Sequence, residues 1–136
     1  MRNSARGIII RDNAVLTMFR RKVKEGKVTE YYVLPGGGIE DGENSEETVV
    51  RELKEEMSVD IEILGYLGKD ETEQGDAIYY HCKIKNDADP KLGGEELERM
   101  TESNYYEPRF VSIENLDKIN IYGADYIYRA LKKEYK

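Results

Sequence analysis

The chain has 136 residues, 39% of them hydrophobic and 36% charged, with a formal net charge of −7 and a single cysteine. That length suits one domain with a substantial core rather than two, and no apolar run approaches the roughly 20 residues of a membrane-spanning helix. The acidic balance weighs against nonspecific nucleic-acid binding, whose affinity comes from basic surface, while small anionic ligands stay open if cations invert the local field.

The amino terminus leads directly into an apolar strand-like run without a signal-peptide core. With one thiol, Cys82, and no internal disulfide to form, a reducing, cytoplasmic setting is expected. Ala5 to Arg11 and Ala14 to Arg20 are rich in β-forming residues around the turn pair Asp12-Asn13, which predicts a hairpin. Lys22 to Glu30 is polar and contains Gly26, so it is expected to be a mobile surface loop. Arg20 and Arg21 border it as candidates for meeting substrate phosphate. Tyr31 to Leu34 forms a short strand that Pro35 ends, ahead of three glycines.

Ser45 is the expected N-cap of a helix running to Met57, with Val49, Val50, Leu53 and Met57 as its buried stripe. A strand follows from Val59 to Leu67, then a polar gap from Lys69 to Asp76, then a strand from Ala77 to Ile84. The turn-rich Asn86 to Pro90 leads to Gly93-Gly94 and an acidic segment containing Glu95, Glu96, Glu98 and Glu102, which is read mainly as a solvated face. Arg109 to Val111 is the final strand, and Ile113 to Leu116 a helical turn. Ala124, Ile127, Tyr128, Leu131 and Tyr135 keep helical spacing after Gly123, so an amphipathic helix closes the chain. No internal repeat or second domain is visible, and residues 1–136 are read as a single domain.

Chemistry concentrates between Gly36 and Val59. A glycine loop allows close approach of backbone to a ligand, and Glu52, Glu55 and Glu56 have the i, i+3, i+4 spacing that gathers carboxylates on one helix face. Such a set can hold hard divalent cations against phosphates. Three clustered glutamates alone would more often be a solvated face. Here they sit in the pattern Gly37, five residues, Glu43, seven residues, Arg51-Glu52-Leu53-Lys54-Glu55-Glu56, one residue, Ser58-Val59.

That pattern resembles the Nudix box and departs from it only at Ser58, where the family has glycine, favoured because the turn needs positive φ. The resemblance implies an α/β Nudix fold, a mixed β-sheet sandwiched between α-helices, over nearly the whole chain. It further implies a metal-dependent pyrophosphohydrolase that cleaves the diphosphate linkage of a nucleoside diphosphate derivative, or of a nucleoside triphosphate, by water attack on phosphorus. Glu52, Glu55 and Glu56 would bind Mg²⁺, or Mn²⁺ on the same ligands, and Gly36 would add its carbonyl. Arg51 and Glu43 would brace the carboxylates. Glu55 is the first choice for the general base, and a carboxylate between Glu95 and Glu102 the second.

Substrate recognition is less legible. Tyr79, Tyr80 and Tyr105 are candidate base platforms, although tyrosines more often pack in cores. His81 is assigned no role. An ADP-ribose-type member would carry a proline about fifteen residues beyond the box, where this chain reads Gln74-Gly75-Asp76. Tyr79 and Tyr80 lie near, not at, the spacing of dinucleoside-polyphosphate-type members, and a triphosphate sanitiser stays open. The alternative from another class is a catalytically silent nucleotide-sensing or protein-interaction module on the same fold. A nucleotide is the expected partner, without membrane or nonspecific nucleic acid, and a homodimer is left open.

Overall fold

The structure is a computed structural model, and it describes residues 2–136. Asp12 and Asn13 both take positive φ (50° and 60°), the backbone of a two-residue hairpin turn, and join β1 (Ser4–Arg11) to β2 (Ala14–Lys24). A second hairpin replaces the expected surface loop at 22–30. β2 continues to Lys24, Glu25 and Gly26 turn the chain at φ 53° and 77°, and β3 (Lys27–Val33) returns in register. The polar sequence misled because this hairpin end is exposed throughout and needs no apolar alternation.

How β1 and β2 part company creates the site. They pair only through Ile10 and Arg11 with Val15 and Ala14. Beyond that, β2 takes β3 as its neighbour, while the first half of β1 pairs with β4 (Gly36–Gly38), Arg6 opposite Gly36. The far edge of β1 runs parallel to β6 (Gly75–Ile84), which pairs with β5 (Ile61–Thr72), and β7 (Asn104–Ser112) lies antiparallel to β2. The result is a seven-stranded mixed sheet that splays where β4 and β3 replace the β1–β2 pairing. The expected gap at 69–76 is mostly strand, interrupted only by Glu73-Gln74.

Each sheet face carries a helix, as the sandwich requires. On one side Ala5, Ile9, Leu16 and Met18 pack with Val49, Leu53 and Met57 of α1 (Ser45–Met57). On the other, Ile8, Val15, Leu67 and Tyr79 pack with Tyr126, Ile127 and Ala130 of α3 (Ala124–Leu131). The short α2 (Gly94–Arg99) docks on the end of α1, with Gly93 N–H bonded to the Glu56 carbonyl at 2.9 Å. Among the described residues, no helix is long and apolar enough to cross a membrane.

Three helix details differ from expectation. Asn44, not Ser45, is the N-cap of α1. Its side chain accepts from Glu47 N–H (2.8 Å) while Glu47 accepts from Asn44 N–H (3.0 Å), a reciprocal capping box. Val50 is 41% exposed, and Glu56 is buried beside Leu53 and Met57 instead. α3 ends at Leu131, short of Tyr135, and its buried side chains are Tyr126, Ile127 and Ala130, whereas Tyr128 and Leu131 are exposed.

Candidate active site

Gly37 sits directly under Glu52. A Cβ there would come within 2.6 Å of the Glu52 carboxylate, so any larger residue pushes that carboxylate out of its place. Arg51 is held as a fork. Its Nε donates to Glu43 Oε2 (2.7 Å) and Nη2 to Glu43 Oε1 (2.9 Å), while Nη1 donates to Glu52 Oε1 (3.0 Å) and Glu55 Oε2 (3.2 Å). Nη2 also reaches the Gly38 carbonyl at 3.2 Å, tying helix to loop. Thr48 Oγ1 donates to Glu43 Oε1 at 2.6 Å. The Arg51 and Thr48 hydrogen bonds hold the Glu43 carboxyl down at about 2, and Glu43 in turn raises the proton affinity of Arg51. Charge-assisted, bidentate geometry of this kind fixes orientation better than a lysine could.

Glu52 and Glu56 meet on the same side. Burial first, then the neighbouring Glu52 carboxylate and the charge of Glu96, push Glu56 up to about 9. Two carboxylates within hydrogen-bonding reach in a buried setting need either a shared proton or a cation between them. This oxygen-only donor set fits a hard divalent ion, which takes one or two protein carboxylates and completes its shell from water and phosphate oxygens. Glu55 does not join them. Its side chain is 56% exposed and turned toward Arg51, and among the described residues no three acidic, histidine or cysteine side chains converge on one point.

The neighbours of this pair come from outside the box. Arg6 stands beside Glu56 and Glu52. Burial pushes its proton affinity down, and Glu56 most of all opposes that. Glu96 on α2 is largely buried, 3.9 Å from Arg20, whose Nε has no hydrogen-bond partner among the described residues. The acidic segment thus brings one carboxylate to the pair, with the Arg20 guanidinium beside it. Arg21 lies elsewhere, exposed, with its guanidinium over the Tyr105 ring at 5.3 Å.

Tyr79 and Tyr80 are both core residues. Tyr80 lies under α1, its hydroxyl hydrogen-bonded with Ser45 Oγ (2.6 Å) and its ring against Tyr66, so it presents no face to a base. Tyr79 stacks on Tyr126 at 4.0 Å, which occupies one of its faces. Its edge lines an inner hollow of about 150 Å³ together with Arg6, Leu34, Ala77 and Tyr122. That hollow opens into a cleft of about 560 Å³ bordered by Arg2, Ser4, Gly38, Gln74 and Asp76. His81 is buried and hydrogen-bonded through Nδ1 with the Tyr135 hydroxyl at 2.9 Å, away from this cleft.

Sequence reasoning missed Arg6 and Tyr122. A charged residue inside the apolar run Ala5 to Ile10 was a visible signal for the first, since a lone arginine on a central strand needs a reason. No comparable signal marked Tyr122, one of eleven tyrosines.

A family model described as NUDIX domain matches residues 1–130. A 62-residue stretch is 42% identical to an ADP-ribose pyrophosphatase of Methanocaldococcus jannaschii, covering 46% of this chain and 35% of that protein. The aligned stretch therefore spans about a third of the curated relative. Among solved structures, a MutT protein from Methanosarcina mazei Go1 superposes with a TM-score of 0.65 at 22% identity, covering 99% of this chain and 96% of the other. A NUDIX family hydrolase from Clostridium perfringens gives a TM-score of 0.68 at 15% identity, with 97% of each chain covered. At such identities these two likenesses speak for the fold alone.

Proposed function

This chain belongs to the Nudix family, and from that premise we propose that it is a metal-dependent pyrophosphohydrolase of a nucleoside diphosphate derivative or nucleoside triphosphate. The observation that carries the proposal is the Glu52–Glu56 pair above Gly37, two carboxylates within hydrogen-bonding reach whose mutual repulsion Arg51 and Arg6 offset only in part, since Glu56 is still pushed up to about 9.

Glu52 and Glu56 would hold Mg²⁺, or Mn²⁺ in its place, with Gly36 offering its carbonyl and Glu55 entering by a turn of its exposed side chain. The bound cation supplies neutralisation of developing phosphate charge and a lower pKa for the attacking water. Arg51 and Glu43 would hold the Glu52 carboxylate in its orientation above Gly37. Arg20, whose guanidinium lies 3.9 Å from Glu96, is the candidate to meet a phosphate oxygen. The proton of the attacking water passes to a carboxylate oxygen, of Glu55 in the first instance and of Glu96 in the second, the latter supported by its position against Glu56. A cytoplasmic location follows from this reading of a nucleotide enzyme.

The ADP-ribose pyrophosphatase of Methanocaldococcus jannaschii makes ADP-ribose one compound to assay, beside nucleoside triphosphates and sugar nucleotides. The test is a panel of these compounds with Mg²⁺ or Mn²⁺, followed by product analysis in heavy-oxygen water. Cleavage of a diphosphate linkage with one labelled phosphate product supports the reading. Nucleotide binding with no turnover of any compound would favour the silent module instead.

A further inference from the structure

Among the described residues, Arg6 is the only charged side chain in the wall of the inner hollow. Its one side-chain hydrogen bond among the described residues runs from Nη1 to the Leu34 carbonyl at 3.0 Å. A guanidinium has five N–H donors and no acceptor, so a group entering the hollow against Arg6 meets donors only. The walls beside it, Val33, Leu34, Ala77 and Tyr79, are apolar or aromatic, and Ser4 adds one neutral hydroxyl that can donate or accept. At about 150 Å³ the hollow is smaller than the roughly 300 Å³ at which pockets begin to enclose a drug-sized ligand. It suits one flat group, with the remainder of a ligand lying in the outer cleft.

Tyr122 stands where hollow and cleft join and is 69% exposed. Its loop is anchored, because Tyr32 N–H donates to the Asn120 carbonyl at 2.9 Å and Ile121 bridges to Tyr32. Gly123 follows at φ 90°, where a Cβ would press to 3.0 Å from the Tyr79 hydroxyl, and so fixes where Tyr122 ends and α3 begins. A large aromatic ring is thus held in solvent by backbone bonds on its own loop. Exposed aromatic faces of this kind stack on bases with little regard to their identity.

We propose that the hollow receives the nucleobase of the substrate, with Tyr122 stacking on the ring and Arg6 facing a ring edge that must offer acceptors, so that keto bases are selected over amino bases. This rests on the nucleotide reading above. An amino group turned to Arg6 would place donor against donor in a buried site and leave both unpaired, weakening binding about tenfold or more. A carbonyl oxygen, alone or beside a ring nitrogen, accepts from the guanidinium fork instead. Sites built this way reject the mismatched analogue more strongly than apolar pockets do.

Inosine and adenosine 5′-monophosphates test this directly, since at the 6-position one carries a keto and the other an amino group. Binding is measured by calorimetry without turnover, so the result does not depend on hydrolysis. Wild-type protein should bind the inosine nucleotide at least about tenfold more tightly. Arg6→Gln should shrink that ratio to about threefold or less, because an amide can offer either oxygen or N–H. Tyr122→Ala, an exposed position with little bearing on folding, should weaken both nucleotides by similar factors and keep the ratio. Equal or tighter binding of the adenosine nucleotide, no binding of either, or a ratio that survives Arg6→Gln would overturn the proposal, the last leaving Arg6 as a mere countercharge to Glu56. Failure of the hydrolase reading would show differently, as an intact ratio with no cleavage of any diphosphate compound.

Discussion

Replacing Glu56 by glutamine should change how stability depends on pH, and the direction follows from burial. In the metal-free protein Glu56 is pushed up to about 9 against an ordinary value of 4.5. Between these values the folded state holds one proton that the unfolded chain has released. The stability it contributes is therefore fully present below about 4.5 and is lost as pH rises through about 9. One proton corresponds to roughly 1.4 kcal/mol per pH unit, so the step from about pH 5.5 to 7.5 removes about 3 kcal/mol. For a chain of 136 residues that is on the order of 10 °C in Tm. His81 acts in the opposite sense, since burial lowers its pKa and favours folding as pH rises, but it is present in both proteins and cancels in their difference. Glu56→Gln mimics the protonated carboxyl by donating toward Glu52 and does not ionise. Thermal unfolding in chelator across this range should show wild type losing ground to the variant by about that amount, with added Mg²⁺ flattening the wild-type curve. Parallel curves for the two proteins would refute the claim that Glu56 is buried with a shared proton.

Other substitutions report on separate parts of the arrangement. Gly37→Ala places a methyl within 2.6 Å of the Glu52 carboxylate, and steady-state kinetics should show turnover falling by about a hundredfold or more while unfolding shifts by only about 1–3 kcal/mol. Arg51→Lys loses the fork on Glu43 and should lower kcat by at least about tenfold with KM changing less, a split that initial-rate measurements resolve. Ser58→Gly removes a non-glycine residue from positive φ (58°) at the end of α1. It should stabilise by about 0.5–1 kcal/mol in denaturant melts, after the added freedom of the unfolded chain is counted, with kcat unchanged.

The box was legible because its chemistry is local. Carboxylates at 52, 55 and 56 and glycine at 37 have meaning through spacing alone, and Ser58 does adopt the positive φ that the family's glycine would. Which carboxylates meet was not legible. On a helical wheel Glu56 lies only about 20° from Val49 on the far side from Val50, so a small rotation of the buried arc admits Glu56 and expels Val50. That rotation is a matter of how α1 seats on β1 and β4, a tertiary contact that no local pattern encodes. The N-cap could have been found, since Asn44 has Glu47 three residues on and Ser45 has Thr48, and the capping box prefers the former. The β2–β3 hairpin was hidden for the opposite reason. Its outer end is exposed on both faces, so strand geometry there leaves no apolar trace. Arg6 and Tyr122 converge only through the β1–β6 register and the loop before α3, and Glu96 through the docking of α2 on α1.

The most direct test of the account is turnover by Glu56→Gln at saturating Mg²⁺ on the best compound of the panel. With the circular dichroism spectrum unchanged, kcat should fall by about a thousandfold or more, because the variant keeps the shape of the pair but loses a charge the reaction needs. A kcat within about threefold of wild type would contradict the assignment of the Glu52–Glu56 pair as the catalytic metal site.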